Sequence, residues 1–369
     1  MKNSTKILLI VASCLILLGC GLAAGAAVFT PGGFPALVQK IGNSSFSVGL
    51  TVSGLGDWDN AYSPDNHYEV DAPLSHLDID WSAGRVTLTP YEGAQVIFEE
   101  EAGEAFDADH ALRYGVKNGT LYIQYCRKGL VSNLPSKQLT VYIPSEDFFR
   151  SIRIDSASAE VCAQDINCEL FEVDTASGNV ELENIRAADA QLSTTSGDLR
   201  AHGSFTEVDA ESTSGDILLT LSKAAEHVSL STTSGDAILK GDVQTLDEES
   251  TSGALNLEGT AQHARFSTVS GNISAAGSIG YFEAESTSGQ VSLCVSAQAP
   301  NELEISTVSG DVWLALPENA DFTLDFDTVS GDFDSELSVS LKNHRYICGS
   351  GSADYEVETS SGSLRIQSN

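Results

Sequence analysis

The sequence predicts an all-β protein, a parallel β-solenoid of about ten coils with 18–21 residues each. Three observations lead to this prediction. A Ser-Gly pair returns at short, regular intervals, and apolar residues occupy every second position on both sides of it. The 3.6-residue periodicity of amphipathic helices does not appear in this part of the chain. Repeats of this length and alternation are typical of strands that stack coil upon coil at about 4.8 Å.

The chain begins with a predicted membrane or signal segment, residues 1–29. Lys2 and Lys6 precede an uncharged run from Ile7 to Phe29, which as a helix would extend about 34 Å and could span a bilayer. Three interpretations remain open: a retained signal anchor, a lipoprotein-type signal lipidated at Cys20, or cleavage near Ala24 to Ala27. In each of them the rest of the chain is extracytoplasmic, single-pass or lipid-anchored at the cell membrane in the first two.

Residues 30–72 are rich in glycine, proline and small polar residues, which is typical of a tether. Residues 73–150 follow as a predicted N-terminal β region that caps the solenoid. Within it, Leu77 to Leu88 alternates apolar and polar residues like a degenerate copy of the later repeat, and Asn118-Gly119 predicts a hairpin turn.

The repeat occupies residues 151–369, and each unit reads as strand, tight corner, strand. The corner glycines are Gly178, Gly197, Gly215, Gly235, Gly253, Gly271, Gly289, Gly310, Gly331 and Gly362. Each follows a serine, and three residues before each glycine stands a Ser or Thr. This hydroxyl falls on the inward side, where it can bond its neighbour or the turn backbone. The inward position two residues earlier is apolar in every unit except at Glu248.

The last interval between corner glycines, from Gly331 to Gly362, is longer than the others. We expect Leu341 to Asp354 to be an insertion, followed by a terminal coil from Tyr355 to Ile366 that closes the far end. Solenoid ends need such closure because an open strand edge invites pairing with other chains.

Charge and cysteine content narrow the classes of partner. The formal net charge of −33 and a pI of about 4.3 argue against nucleic acid or anionic lipid as partners. No CxxC pair and no Cys/His cluster with zinc spacing occurs. Cys162 and Cys168 are close enough in sequence to form a disulfide, but two free thiols are an equal alternative.

Several motifs resemble a bacterial family of adhesin-like proteins, catalogued as a domain of unknown function. They are Ile-Asp-Trp-Ser-Ala-Gly-Arg-Val at Ile79 to Val86, the strand from Leu139 to Pro144, the Thr-Ser-Gly-Asp copies, and Thr359 to Gly362. The resemblance covers roughly residues 73 to 369. It implies a β-solenoid behind an N-terminal membrane segment, on the cell surface or envelope of a Gram-positive type of bacterium. It carries over no catalytic residue, and it also implies an accessory role in envelope stress.

Acidic residues that follow the corner glycines are the candidate metal ligands. They are Asp198, Asp216, Asp236, Asp311 and Asp332. Stacked about 5 Å apart, such carboxylates would repel one another, and Ca²⁺ could bridge them. The alternative is that each Asp caps its own turn, which Asn179 and Asn272 at the same position favour.

We therefore expect a non-enzymatic, membrane-anchored surface protein that presents a polar face for adhesion or cell-envelope interaction. Its partner would be an envelope component or surface ligand, protein or glycan, and no cofactor is expected apart from Ca²⁺. Trp313, which points outward by its position, is a candidate contact for such a partner. The alternatives are a carbohydrate-active enzyme on a β-helix scaffold, which needs two or three converging carboxylates, and a calcium-binding structural solenoid.

Overall fold

A computed structural model describes residues 50–52, 66–103, 110–127, 129–131, 135–145, 148–295 and 297–369. In these residues the protein is all-β and contains no helix, which confirms the predicted fold class. The predicted membrane or signal segment and most of the predicted tether lie outside the described residues. No helix within the described part of the chain has the length and apolar character needed to cross a membrane.

The strands are named in chain order. They are β1 Leu50–Val52, β2 His67–Val70, β3 His76–Tyr91, β4 Val96–Ala102, β5 Arg113–Lys117, β6 Thr120–Gln124, β7 Gly129–Val131, β8 Lys137–Pro144, β9 Phe149–Gln164, β10 Asn167–Thr175, β11 Val180–Thr194, β12 Leu199–Ser212, β13 Ile217–Leu221, β14 Ala225–Thr232, β15 Ala237–Ser250, β16 Leu255–Thr268, β17 Ile273–Ser286, β18 Val291–Cys294, β19 Glu302–Thr307, β20 Val312–Leu316, β21 Phe322–Thr328, β22 Phe333–Ser335, β23 Val339–Lys342, β24 Arg345–Cys348, β25 Ala353–Thr359 and β26 Leu364–Ser368.

The chain forms two compact units, an N-terminal unit from Phe29 to Ala210 and a C-terminal unit that includes Glu211–Asn369. Both are built from parallel coils in register. In the C-terminal unit, Ala237 pairs with Leu255, which pairs with Ile273 in the next coil. The inward-facing apolar residues of successive coils thus lie above one another and form the buried core.

Each corner is held by the inward hydroxyl that the sequence pattern singled out. At nine of the ten corners the glycine N–H donates to the Ser or Thr oxygen three residues earlier, over 2.8–3.0 Å. At the tenth corner, the Thr307 hydroxyl contacts the Gly310 carbonyl and the Thr359 hydroxyl. The inward hydroxyls thus bond the turn backbone, as the sequence pattern allowed, and those that are buried have hydrogen-bond partners.

The corner glycines are required by close approach between coils. A Cβ atom on Gly271 would lie 1.7 Å from the carbonyl oxygen of Gly253 in the coil beneath it. A different demand operates at a second bend of the coil, six residues after the corner glycine Gly235, where Gly241 adopts φ +128°, a conformation that side chains with Cβ disfavour. The coils thus use glycine for two physical reasons.

The N-terminal end is closed by strands that double back. β3 lies between two coils, because it pairs in parallel with β9 on one side and with β6 and β8 on the other. Gly84 lies opposite Ala159 of β9, so the degenerate repeat is a true coil. β4 then covers β8 and β5 covers β6, both antiparallel.

The C-terminal end corrects the expected coil order. β25 and β26 pair with β19 and β20 on one side and with β21 and β22 on the other. The last coil of the sequence is therefore inserted beneath the preceding one, and residues 322–335 form the outermost coil. The prediction that Tyr355 to Ile366 closes this end was wrong. Sequence spacing measures chain length between corners and does not show which coil receives the returning strand.

All five described cysteines, Cys126, Cys162, Cys168, Cys294 and Cys348, are free thiols. The free-thiol alternative therefore holds for Cys162 and Cys168. Burial raises the pKa of Cys162 to about 11 and that of Cys168 to about 12, so both thiols stay protonated at neutral pH.

Candidate functional site

Three of the acidic residues after the corner glycines, Asp216, Asp236 and Asp311, are hydrogen-bond acceptors between coils. Asp216 Oδ1 accepts from the N–H of Asp236 over 2.9 Å, and Asp236 Oδ1 accepts from Ala254 over 2.7 Å. The asparagine positions behave alike, as Asn272 Oδ1 accepts from the Gln290 N–H over 2.9 Å. The side chain therefore caps the turn of the next coil.

This arrangement differs from the expected capping of each residue's own turn. Because coils are only about 4.8 Å apart, the short side chain reaches the backbone N–H of the next coil. Asp311 follows the same rule toward Ser363 N–H at 2.8 Å, while Asp198 forms an ion pair with Arg200 at 2.8 Å. Each of these carboxylates thus has a structural task, and calcium at the row stays a prediction.

A second row of acids lies four residues before the corner glycine, on the outward face. Over four coils of the C-terminal unit this row alternates, since Ser231, Glu249, Ser267 and Glu285 are register partners in successive coils; at the end of the unit Glu358 and Asp327 are direct partners. A serine between two glutamates doubles the distance between like charges to about 9.6 Å. The alternation therefore limits repulsion along the face.

The N-terminal unit breaks this alternation. Asp80, Asp155 and Asp174 are register partners in three successive coils, and Ser193 follows only after them. Loss of hydration raises the pKa of Asp80 and of Asp155 to about 6, and Asp78 adds repulsion at both. These three residues are called the aspartate column below.

The aspartate column was missed by reasoning from the sequence. The signal was present, because all three residues precede a corner position by four, where the acids and serines of the later coils had been taken as a solvated face. The sequence pattern did not show that β3 pairs with β9, because the two strands are far apart along the chain. Arg153, which pairs with Glu172 at 2.7 Å, lies beside the column.

A polar groove lies on another side of the C-terminal unit and has a volume of about 780 Å³. Its lining is dominated by amides, hydroxyls and two rings. The polar lining residues are Asp242, Gln244, Thr260, Gln262, His263, Ser278, Tyr281, Gln298, Asn301 and Glu302. Amide and hydroxyl groups both donate and accept hydrogen bonds, which suits a ligand rich in hydroxyl groups.

The groove lining is ordered by stacking of the coils. The rings of His263 and Tyr281 are register partners with centroids 5.8 Å apart. The Tyr281 hydroxyl donates to Glu283 over 3.2 Å, and Thr260 donates to Asp242 through both its N–H and its hydroxyl. Loss of hydration raises the pKa of Tyr281 to about 12, so the phenol remains a neutral donor.

The two carboxylates of the groove are far apart. Asp242 pairs in register with Thr260, and three coil steps separate its level from that of Glu302. Three steps correspond to about 14 Å along the stack. The two catalytic acids of glycosidases lie roughly 5–9.5 Å apart, so the described lining of this groove lacks such a pair.

Trp313 is exposed on a further outward face, as its position predicted, with 43% of its surface accessible. Ser292 and Arg365 are its register partners in the adjacent coils. The Arg365 guanidinium lies 6.0 Å from the indole centroid and contacts Asp334 over 3.3 Å. This arrangement holds the ring in place on an open surface.

One group of described side chains could meet around a metal ion, namely Glu160, Cys162 and Glu181. Arg85 already neutralises Glu160 through a 2.6 Å contact. The Arg85 guanidinium would compete with a metal ion for the Glu160 carboxylate. We therefore interpret the group as an ion pair between Arg85 and Glu160 beside the protonated thiol of Cys162.

Comparison with known proteins identifies the chain's relatives by family. A family model described as "Toastrack DUF4097" matches residues 74–240 and again residues 205–367. A comparison with curated proteins gives no match.

Two solved structures are among those similar to this chain. One is described as a "putative cell adhesion protein" from Clostridium sporogenes ATCC 15579, with 12% identity, TM-score 0.25, and coverage of 82% of this chain and 98% of that one. The other is described as a "putative adhesin" from Bacteroides fragilis NCTC 9343, with 15% identity, TM-score 0.40, and coverage of 57% of this chain and 94% of that one.

Proposed function

The chain belongs to the Toastrack DUF4097 family, and we propose that it is a non-enzymatic surface protein that binds a glycan of the cell envelope or of another cell. The single observation that carries the proposal is the polar groove of the C-terminal unit, where amides, hydroxyls and the Tyr281 ring line one long surface. Sugars offer hydroxyls for such groups and apolar ring faces for an aromatic side chain.

The separation of Asp242 from Glu302 supports binding without cleavage in this groove. Hydrolysis needs an acid and a second carboxylate on opposite sides of one bond, and about 14 Å between coils three steps apart leaves them too far apart. A protein that only holds a glycan needs no such pair.

A glycan array probed with the full chain in mild detergent tests the proposal. We expect binding to hydroxyl-rich glycans that weakens at least tenfold in Tyr281→Ala and in Gln262→Ala. Trp313→Ala is the matched control, since it removes an exposed aromatic residue from a different face of the same unit. Equal binding by all four proteins, or loss only in Trp313→Ala, would contradict the assignment to the groove.

The aspartate column favours a second candidate function, a carbohydrate-active enzyme. Asp80 and Asp155 lie on adjacent strands, and their pKa values of about 6 suit proton transfer near neutral pH. Incubation of the chain with polysaccharides and a reducing-end assay tests this candidate. Turnover that Asp155→Asn abolishes would support it, and an absence of product with every substrate would remove it.

Attachment to the membrane through residues 1–29 is a further part of the proposal, supported by the uncharged run behind Lys2 and Lys6. Fractionation of cells that express the chain, with Cys20→Ala beside it, separates the interpretations. Release of the variant alone indicates lipidation, retention of both indicates an anchor, and release of both contradicts attachment.

Calcium binding at the corner aspartates is testable by thermal melting of the full chain. A rise in melting temperature with Ca²⁺ and a fall with chelator would support the calcium-stabilised solenoid. Since Asp216 and Asp236 already accept backbone hydrogen bonds, an unchanged melt would leave the row with its capping role alone.

A further inference from the structure

The outermost coil at the C-terminal end is covered on one side only. β21 has β24 as an antiparallel partner along Phe322–Leu324, and β23 lies outside β24. On the other side of the coil, β22 pairs with β26 and, among the described strands, with no other. This end is therefore stepped, with two extra strands above β21 and none above β22.

The uncovered step exposes apolar groups that are buried elsewhere in the solenoid. Tyr346 of β24 packs against Phe333 with ring centroids 4.1 Å apart. Even so, Phe326 and Phe333 at inward positions are only half-buried, whereas Val357 and Leu364 at the same positions of the coil below are fully buried. Val329 at the corner is 80% exposed. An unpaired strand edge beside exposed apolar side chains is typical of a surface that pairs with another chain.

The charges on the two halves of the step have opposite sign. The low half, around β22, carries Asp327, Asp332, Asp334 and Glu336. The hairpin of β23 and β24 carries Lys342, His344 and Arg345 and no acid between Val339 and Cys348. Arg345 already pairs with Asp325 and Asp354 of its own copy, and Asp334 pairs with Arg365. In a chain with a net charge of −33, Lys342 of the hairpin and the other acids of the notch still carry opposite charges that a second copy can bring together.

We propose that this end is a homodimer interface, in which β22 of one copy pairs with β23 of a second copy about a two-fold axis. The step supports the geometry directly. In the dimer the outermost coils of the two copies face each other, with space for two strands between them. Each copy fills one half of this space with its own hairpin of β23 and β24. Both free edges are then used at once, as an isologous contact requires, and each hairpin lies over the acidic notch of its partner.

A second copy fits this end better than a head-to-tail contact does. At the N-terminal end, β4 and β5 cover both halves of the outermost coil, and Phe98 and Trp81 are fully buried. The described residues at that end form no matching notch, so we expect association to stop at two copies.

Sedimentation velocity of the full chain in mild detergent tests the dimer. We expect a protein mass of twice 38.9 kDa, and a dissociation constant at least tenfold higher in Leu341→Asp, whose parent side chain is 65% exposed on β23. The matched control is Val116→Asp, which places the same charge on a 40% exposed valine at the closed end. A monomer at tens of micromolar, a ladder of larger species, or equal effects of both variants would overturn the proposal.

Cysteine cross-linking tests the strand pairing itself. Ser335→Cys lies on β22 and Ser340→Cys on β23. Under oxidation, a mixture of the two single variants should form a disulfide-linked dimer, whereas each variant alone should give only the background of the parent chain. Failure of the mixture to cross-link, when sedimentation shows a dimer, would overturn the β22–β23 pairing. Neither experiment involves the groove, so its outcome is independent of glycan binding.

Discussion

Two glutamates, Glu100 in the N-terminal unit and Glu248 in the C-terminal unit, are both fully buried, but their surroundings differ. Glu100 accepts from the Leu112 N–H over 3.0 Å and from the ammonium of buried Lys137 over 2.9 Å. Neither carboxyl oxygen of Glu248 makes a hydrogen bond. A charged side chain is thus buried in this fold where irregular backbone supplies hydrogen-bond partners for it. The regular coil around Glu248 supplies no such partner.

Irregular backbone at the N-terminal end is what satisfies Lys137. Its three ammonium protons find Glu100 and the carbonyls of His110 and Tyr125. The nitrogen also lies 4.0 Å from the Tyr125 ring centroid and 4.9 Å from that of Trp81. Burial lowers the pKa of Lys137, and the Glu100 carboxylate opposes that shift.

Glu248 stands in the inward apolar row, where its register partners are Leu230 and Phe266. Burial raises its pKa well above the ordinary value, and the backbone N–H of Asn256, which does not reach hydrogen-bond geometry with either oxygen, opposes only part of the shift. The carboxyl of Glu248 is therefore neutral, whereas the carboxylate of Glu100 is paired with Lys137. Substitution of Lys137, the partner of Glu100, and substitution of Glu248 itself test this difference between the two glutamates.

Lys137→Met has the largest expected effect. The substitution leaves Glu100 buried opposite an apolar side chain, so we expect the free energy of unfolding to fall by about 3–5 kcal/mol. Chemical denaturation measures the change. Lys240→Met is the control, because its ion pair with Glu258 is exposed and should contribute less than about 1 kcal/mol. Equal losses in both variants would refute the special role of burial.

Glu248→Leu should act in the opposite direction. It removes a buried polar group without a partner and restores the apolar row, so we expect stabilisation by about 2–4 kcal/mol at neutral pH. Denaturation curves compare it with Glu249→Leu, which makes the same exchange on the outward face of the same strand. A destabilised Glu248→Leu would mean that the buried carboxyl has a stabilising partner.

The pH dependence of stability should differ between the parent protein and Glu248→Leu. Because the pKa of Glu248 is raised on folding, the native state holds this proton over a pH range in which the unfolded state has lost it. Stability then falls as the pH rises above about 4.5, by up to about 1.4 kcal/mol per pH unit for this one proton. Denaturation from pH 4 to 9 should show this slope as the difference between the parent and Glu248→Leu. Parallel curves would contradict a neutral Glu248.

Thr268→Val has the smallest expected effect. The substitution leaves the backbone N–H of Gly271 without its hydrogen-bond acceptor. The Thr268 oxygen accepts from the Gly271 N–H over 3.0 Å inside the coil, and valine removes only that acceptor. We expect a loss of about 1–2 kcal/mol in the free energy of unfolding. Thr251→Val, on the outward row beside another corner, should change it by less than about 0.5 kcal/mol, and a similar loss there would point to β-strand packing instead.

The coils themselves could be predicted from the sequence, because strand alternation and the corner motif are local. Position relative to each corner glycine showed that Thr268 faces inward, that Trp313 faces outward and that Glu248 is an exception. The candidate sites were less accessible. The aspartate column depends on β3 lying beside β9, and the groove depends on four coils that each contribute a few ordinary polar residues.

By itself the sequence determined the coil length, the inward and outward faces and the hydroxyl at each corner, since these follow from a two-residue period and from turn chemistry. Tertiary structure alone decided the neighbours. It placed the last coil beneath the one before it, directed Asp236 to the next coil's N–H, and gave Glu100 a partner while Glu248 has none. The physical reason is that stacking joins residues far apart along the chain, and a local pattern does not record which distant strand arrives beside it.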